Sequence, residues 1–278
     1  MHRSQLLKFA DTLLDLPNFS DVSLNGLQVE GREDIRRIAT AASATLEAID
    51  AAVEQKADLL LVHHGLIWKG HPAPVCGVMK ERLCALLESN LNLVAYHLPL
   101  DAHPDLGNNR CLCDILGMVE QEFVVPGDPR SIALRGKFTR RLSVRQVAMK
   151  LSRALDTEVM VLGHCDDELK LSGAVVCSGS GSFMLDGNPT PDFEALITGD
   201  VREQTYHLAV ESATPVFVVG HHASEQEGVK RLGQYLAEKF EIEHVHLHFT
   251  PEKNVSTYDY ELTVDTHWDD EEGEHSGS

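Results

Sequence analysis

The chain lacks several features that would each have assigned it a class. No apolar run approaches the ~20 residues needed to cross a bilayer, so no membrane helix is expected. The six cysteines, at 76, 84, 111, 113, 165 and 177, include no C-x-x-C pair. They sit in apolar segments such as ERLCALL and GAVVCSG, which predicts buried free thiols in a reducing compartment rather than a disulfide framework. Cations are scarce: 24 Lys and Arg stand against 43 Asp and Glu, for a net charge of −19. A nucleic-acid surface needs a basic stripe, so that partner class is not expected. There is no P-loop, and no G-x-G-x-x-G follows a strand. The first residues, MHRSQLLKFADTLLDL, read as an amphipathic helix broken by Asp and Lys rather than as a signal-peptide core, and the expected location is cytoplasmic.

What the chain does have is core-forming material in a regular order. Its 278 residues are 43% hydrophobic, enough for one large domain or two modest ones. Short apolar segments alternate with amphipathic ones. IRRIATAAS, DLLLV, the start of LNLVAYHLPLD, LSGAVVCSGSGS, EALITGD, TPVFVVGHH and EHVHLHF read as strands. TLEAIDAAVEQKA (Thr45 near its start), VMKERLCALLESN, LSVRQVAMKLSRAL, VREQTYHLAVES and EGVKRLGQYLAEKF read as helices. This alternation predicts an α/β fold with mostly parallel sheets covered by helices. A Pro/Gly break at VVPGDPR divides it into two α/β repeats, 1–125 and 126–250. An extension, 251–278, is acidic and expected to be disordered from about residue 265, where six acids meet no Lys or Arg.

Two segments echo each other. LLLVHHG (59–65) and FVVGHHA (217–223) are each an apolar strand followed by His-His and then a loop and helix. In open α/β sheets, ligand-binding groups gather beyond the carboxyl ends of strands. There the sequence puts His63 and His64, then His97 and Asp101, and finally His221, His222 and Glu225. Successive side chains on extended backbone point to opposite sides, so His63 and His64 are expected to serve two adjacent ions rather than chelate one. A carboxylate such as Asp101 or Glu225 would bridge them. Imidazole plus carboxylate, with no thiolate nearby, suits two divalent ions such as zinc, manganese or iron.

Each of these residues also has a structural reading. Ser224 with Glu227 fits a capping box that would set Glu225 in a first helical turn. Asp200 reads as a helix N-cap with Glu203, Asp101 as a turn residue after Pro99, and His244, His246 and His248 as one exposed face of an edge strand. Three strands that each end in His, two with an acid close behind, are what no single capping or turn rule predicts.

The segments NGLQVEG (25–31), LVHHG (61–65), YHLPLDAH (96–103), GNN (107–109), ITGD (197–200) and GHHASE (220–225) resemble the Nif-three-like family, whose members carry the label GTP cyclohydrolase I type 2 homologue. The blocks occur in the family's order, and the chain resembles the short form without an inserted central domain. The resemblance implies two intertwined α/β repeats with a dinuclear metal centre in the cleft between them. It implies His63, His64, Asp101, His221 and Glu225 as the metal ligands, with His221 rather than His222 at the G-H-x-x-x-E position. His97 and His222 are then supporting groups near the metals. It further implies a homohexameric ring and a metal-dependent hydrolase acting on a small molecule, with ring opening of a guanine nucleotide at C8 and release of formate as the labelled reaction. A non-enzymatic metal-binding or adaptor protein is the alternative.

Overall fold

A computed structural model describes residues 1–70, 74–125, 131–163, 166–187 and 191–249. Cys165 and the acidic tail lie outside the described residues. The chain runs through α1 (Arg3–Leu13), β1 (Gly26–Val29), β2 (Arg37–Ser43), α2 (Leu46–Glu54), β3 (Leu59–His64), α3 (Gly77–Glu88), β4 (Asn92–Ala95), α4 (Leu98–Asp101), α5 (Asn108–Leu116) and β5 (Met118–Phe123). It continues with β6 (Leu134–Ser143), α6 (Val144–Leu155), β7 (Met160–Leu162), β8 (Lys170–Cys177), α7 (Phe183–Asp186) and β9 (Leu196–Thr198). The last elements are α8 (Glu203–Glu211), β10 (Val216–Val218), α9 (His221–Ser224), α10 (Gln226–Phe240) and β11 (Glu243–His246). No helix among the described residues is long and apolar enough to cross a membrane.

The strands form two sheets. The first has the order β1-β4-β3-β2-β11, parallel throughout except for β1 against β4. The second has the order β5-β6-β8-β9-β10-β7, with a parallel centre at β8-β9-β10 and antiparallel strands on either side. The fold is thus α/β with mixed sheets. The two sheets are not successive along the chain, because β11 returns to pair with β2 in the first sheet after the second is complete.

The unbroken apolar run of β3 follows from burial on both faces. Leu59 and Leu61 pack with α1 and α10 through Leu6, Leu232 and Leu236. Leu60 and Val62 pack on the other face with α2 and α3 through Ile49 and Leu86. A strand with no solvent face needs no polar alternation, and each fully buried Leu contributes roughly 1.5–3 kcal/mol. The second sheet is covered in the same way. Leu112, Val147 and Leu151 of α5 and α6 lie on one face, and Leu185 and Ala209 of α7 and α8 on the other. Thr45 caps α2 as the sequence suggested, accepting from the Ala48 N–H at 3.1 Å.

The cysteines divide. Cys111, Cys113 and Cys177 are buried thiols, but Cys76 and Cys84 are exposed, because α3 turns the side that carries Cys84 to solvent.

Where the halves meet, α10 lies on β2 and against α5. Asn108 ties this seam: its Oδ1 accepts from the Gly228 N–H at 3.0 Å and its amide donates to Asp101 Oδ1 at 2.8 Å. A Cβ at position 228 would collide with Asn108, so glycine there sets how closely α10 approaches α5.

Candidate metal centre

The carboxyl ends of strands from both sheets supply one pocket. The end of β3 gives His63 and His64, and β4 leads through His97 into the short helix α4 that ends at Asp101. Beyond β10 the chain turns at Gly220 (φ +90°) into α9, which begins at His221, and Glu225 stands at the N-cap position of α10 without capping it. Thr198 at the end of β9 leads to Asp200.

These side chains converge. His63 Nε2 lies 3.6 Å from Asp101 Oδ2 and 3.7 Å from Glu225 Oε1. Glu225 Oε2 lies 3.2 Å from His64 Nε2 and 3.0 Å from His221 Nε2. Donor atoms fall into three groups, each with its atoms within 4.8 Å of one another: His63, Asp101 and Glu225; His64, His221 and Glu225; and His63, His64 and His97. His63 and Glu225 are buried, yet His63 Nε2 and Glu225 Oε2 have no well-aligned hydrogen bond. Donors at 2.0–2.2 Å from one ion stand roughly 3–3.5 Å apart. Close nitrogen–oxygen contacts without hydrogen-bond geometry are therefore what a cation-holding pocket presents. The residues fit a divalent metal ion.

The far nitrogen of each imidazole supports the same assignment. His63 Nδ1 donates to the Tyr96 carbonyl at 2.9 Å. His97 Nδ1 donates to Asp21 at 2.9 Å, and His221 Nδ1 to Asp200 at 2.5 Å. His64 Nδ1 meets the Ser43 hydroxyl at 3.2 Å. A carbonyl or carboxylate partner only accepts, so in His63, His97 and His221 Nδ1 carries a proton and Nε2 is the nitrogen left to meet an ion, which takes the place of any proton there. This is how metal-binding histidines are held in one tautomer.

Electrostatics make the pocket cation-seeking. Burial alone would drive the proton off His63, but the Asp101 and Glu225 carboxylates outweigh it and raise its pKa to about 9. The Glu225 carboxylate, 3.0 Å away, raises His221 to about 9 as well. Burial, reinforced by the charge of His63, brings His64 down to about 3. Burial also raises Asp101, while for Glu225 the surrounding imidazoles overcome burial and hold the carboxyl well below its usual range. Two buried carboxylates need positive charge beside them, and a divalent ion meets that need as a proton does.

The family model for Duf34/NIF3 (NGG1p interacting factor 3) matches residues 1–254. The chain belongs to this family. It is 40% identical over 242 residues to the Pseudomonas aeruginosa protein named GTP cyclohydrolase 1 type 2 homolog, covering 87% of this chain and 95% of that one. The solved structure of the protein ybgI superposes with a TM-score of 0.83 at 32% identity, over 90% of this chain and 99% of that one. TTHA1606 from Thermus thermophilus does so with a TM-score of 0.78 at 33% identity, again over 90% and 99%.

Within this Duf34/NIF3 chain, several local expectations give way to geometry. The His63 and His64 rings do not diverge; at the end of β3 their centroids are 4.6 Å apart. Ser224 does not cap α10: its hydroxyl donates to the His221 carbonyl and accepts from the Gly179 N–H, and the N-cap is Glu225 itself. Asp200 does not cap α8, whose N-cap is Arg202; its carboxylate orients His221 instead. His222 turns away, donating Nε2–H to the Phe249 carbonyl at 2.9 Å, and joins none of the three donor groups. Asp101 is buried in the pocket rather than in an exposed turn. His244 and His246 are half-buried on β11, both held by the Thr40 hydroxyl, while His248 is exposed.

Reading the sequence for ligands missed the residues that hold them. Asp21, Asn108, Ser178 and Trp68 carry no ligand pattern of their own. Trp68 packs edge-on to His97 with centroids 5.2 Å apart and lies 6.0 Å from His64. Gly179 (φ +58°) lets the β8 loop pass beside Glu225, where any side chain would collide with that carboxylate. The S-G-S-G-S string was the available signal for this close approach.

Proposed function

We propose that the chain is a dinuclear metal-dependent hydrolase. His63, Asp101 and Glu225 Oε1 would hold one divalent ion, and His64, His221 and Glu225 Oε2 the other, with Glu225 shared between them. The observation that carries this reading is the common arrangement of the imidazoles: Nδ1 is tied to a partner in each, and Nε2 is directed at two buried carboxylates. Two such ions, when bound, lower the pKa of water and polarise a substrate oxygen at neutral pH. Five protein donors over two ions leave coordination positions open, as catalytic sites require.

The chain's own residues do the positioning. Asp200 and the Tyr96 carbonyl fix the tautomers of His221 and His63. Asn108, at 2.8 Å, and Ser178, at 3.4 Å, both bond Asp101 Oδ1 and leave Oδ2 facing His63. The relatives' name supports GTP as substrate, and the family resemblance implies formate as product. The test is formate release from GTP by protein loaded with zinc, manganese or iron(II), with Glu225→Gln as control. Absence of formate with all three metals removes the cyclohydrolase assignment. Separately, a Glu225→Gln protein that keeps two ions per chain removes the shared-carboxylate centre.

A further inference from the structure

We propose that His97 is a sixth donor to this pocket, in which Asp21 locks the His97 tautomer so that Nε2 helps to hold the metal centre on the side of His63 and His64. The proposal rests on the metal-centre reading above and adds two residues to it.

The case begins with Asp21. Its carboxylate side chain is 1% exposed. It accepts from the Ser23 N–H at 3.0 Å, the Asn25 amide at 2.8 Å, the Leu98 N–H at 3.0 Å and His97 Nδ1 at 2.9 Å. Among the described residues no Lys or Arg pairs with this carboxylate. A buried carboxylate held by dipoles and one imidazole is costly to keep, and here it is fully hydrogen-bonded. Two of those four bonds come from His97 and Leu98, and Asn25, which makes a third, also accepts from the His97 N–H.

His97 is held at three points. Its N–H donates to Asn25 Oδ1 at 2.7 Å, which supports an unusual backbone conformation (φ −98°, ψ −111°). Its Nδ1 is committed to Asp21. Its ring is flanked by Trp68, whose segment is tied to the Asp21 loop by the Ser23–Trp68 bridge, by Lys69 N–H to the Val22 carbonyl at 2.6 Å and by Lys69 Nζ to the Asp21 carbonyl at 2.9 Å. Because an ionised carboxylate can only accept, Nδ1 donates to Asp21, and Nε2 is the nitrogen left to meet an ion. The His97 centroid lies 5.0 Å from that of His63 and 5.6 Å from that of His64, and ring nitrogens of all three lie within 4.8 Å of one another. A histidine kept only for packing has no need of a buried acid to expose one nitrogen toward two others.

The chemistry suggests two separable substitutions. In His97→Asn the amide stands where Nδ1 was and can still donate to Asp21, while the Nε2 donor is gone. In Asp21→Asn the new amide donates to Nδ1 and turns a protonated Nε2 toward the pocket. Full-length protein stripped with chelator is titrated with Co²⁺, reading affinity by competition with a chromophoric chelator and geometry from the visible absorption band. Both variants are expected to bind one Co²⁺ about 10- to 100-fold more weakly with an altered band. The double variant is expected to be no weaker than His97→Asn alone.

The proposal is overturned if His97→Asn binds Co²⁺ within about threefold of the parent with an unchanged band, or if the two effects multiply. Glu225→Gln separates the levels. If it loses Co²⁺ while His97→Asn keeps it, only the Asp21–His97 assignment falls. If Glu225→Gln also keeps both ions, the metal-centre reading itself fails.

Discussion

The chain writes His-His twice at the end of an apolar strand, and the two copies meet different fates. In the first sheet the dipeptide belongs to β3, and both rings enter the pocket. In the second sheet β10 ends at Val218, Gly220 turns the chain, and the dipeptide opens the short helix α9. Neighbouring residues on a helix point about 100° apart, so His221 faces the pocket and His222 leaves it for the Phe249 carbonyl. Four residues on from His221, Glu225 falls back on the same side. The supporting acids differ as well. Asp21 behind His97 is buried, whereas Asp200 behind His221 is 48% exposed. The same dipeptide therefore yields two donors on one backbone and one donor on the other.

The largest effect that tests this contrast is thermodynamic. In metal-free protein at pH 7, His63→Ala leaves Asp101 and Glu225 buried without their cationic partner, which costs about 3–5 kcal/mol. His222→Ala removes one half-buried hydrogen bond and costs about 1 kcal/mol. Urea midpoints in excess chelator measure both. Equal costs would mean that the two pairs are energetically alike and that the local backbone does not divide their roles.

The main elements could be read from the sequence because their patterns are local. The runs LLLV and AVVC have both faces covered, and α6 follows a capping box from Ser143 to Gln146. The antiparallel strands were harder. β6 reads LRGKFTRRLS, with Arg and Lys along its open face, and β7 is only three residues long, so neither shows an apolar run. The donors of the pocket were legible by strand-end position and by resemblance. The carboxylates behind them were not, since Asp21 and His97 are 76 residues apart and only the fold brings them to 2.9 Å. Asp200 misled because T-G-D-V-R-E meets every local rule for a helix start, while the stronger competitor for its carboxylate was an imidazole 21 residues on.

A second, smaller effect tests whether the donor set belongs to either half at all. Asp101 is a first-half residue, yet Asn108 holds it, and Asn108 is in turn positioned by Gly228 of α10. Gly228→Ala pushes a methyl into the Asn108 amide and is expected to cost about 1–3 kcal/mol by overpacking. Because it also moves the partner of Asp101, Co²⁺ affinity should fall with it, although residue 228 bears no donor. Lost stability with intact affinity would show that each half fixes its own ligands.

The smallest effect comes from a histidine on which burial outweighs the nearby acid Glu227. His246, with its ring near Thr40 on β11, is brought to about 4 by burial, with the charge of Lys230 adding to it. The unfolded chain binds a proton near pH 6.5 that the folded chain refuses until about pH 4. Stability is therefore lost as pH falls from about 6.5 to 4. His63 and His221 in the metal-free pocket have the opposite sign: raised to about 9, they contribute stability that is complete below pH 6.5 and is lost as pH rises through 9. His246→Asn keeps a group able to bond Thr40 but cannot titrate. Between pH 7.5 and 5 it should lose about 1 kcal/mol less than the parent chain, a figure discounted for the solvent that still reaches the ring. An identical acid response in both proteins would mean that burial on β11 is too shallow to govern the imidazole. The sign contrast would then rest on the pocket alone, where two carboxylates rather than depth decide which histidines carry charge.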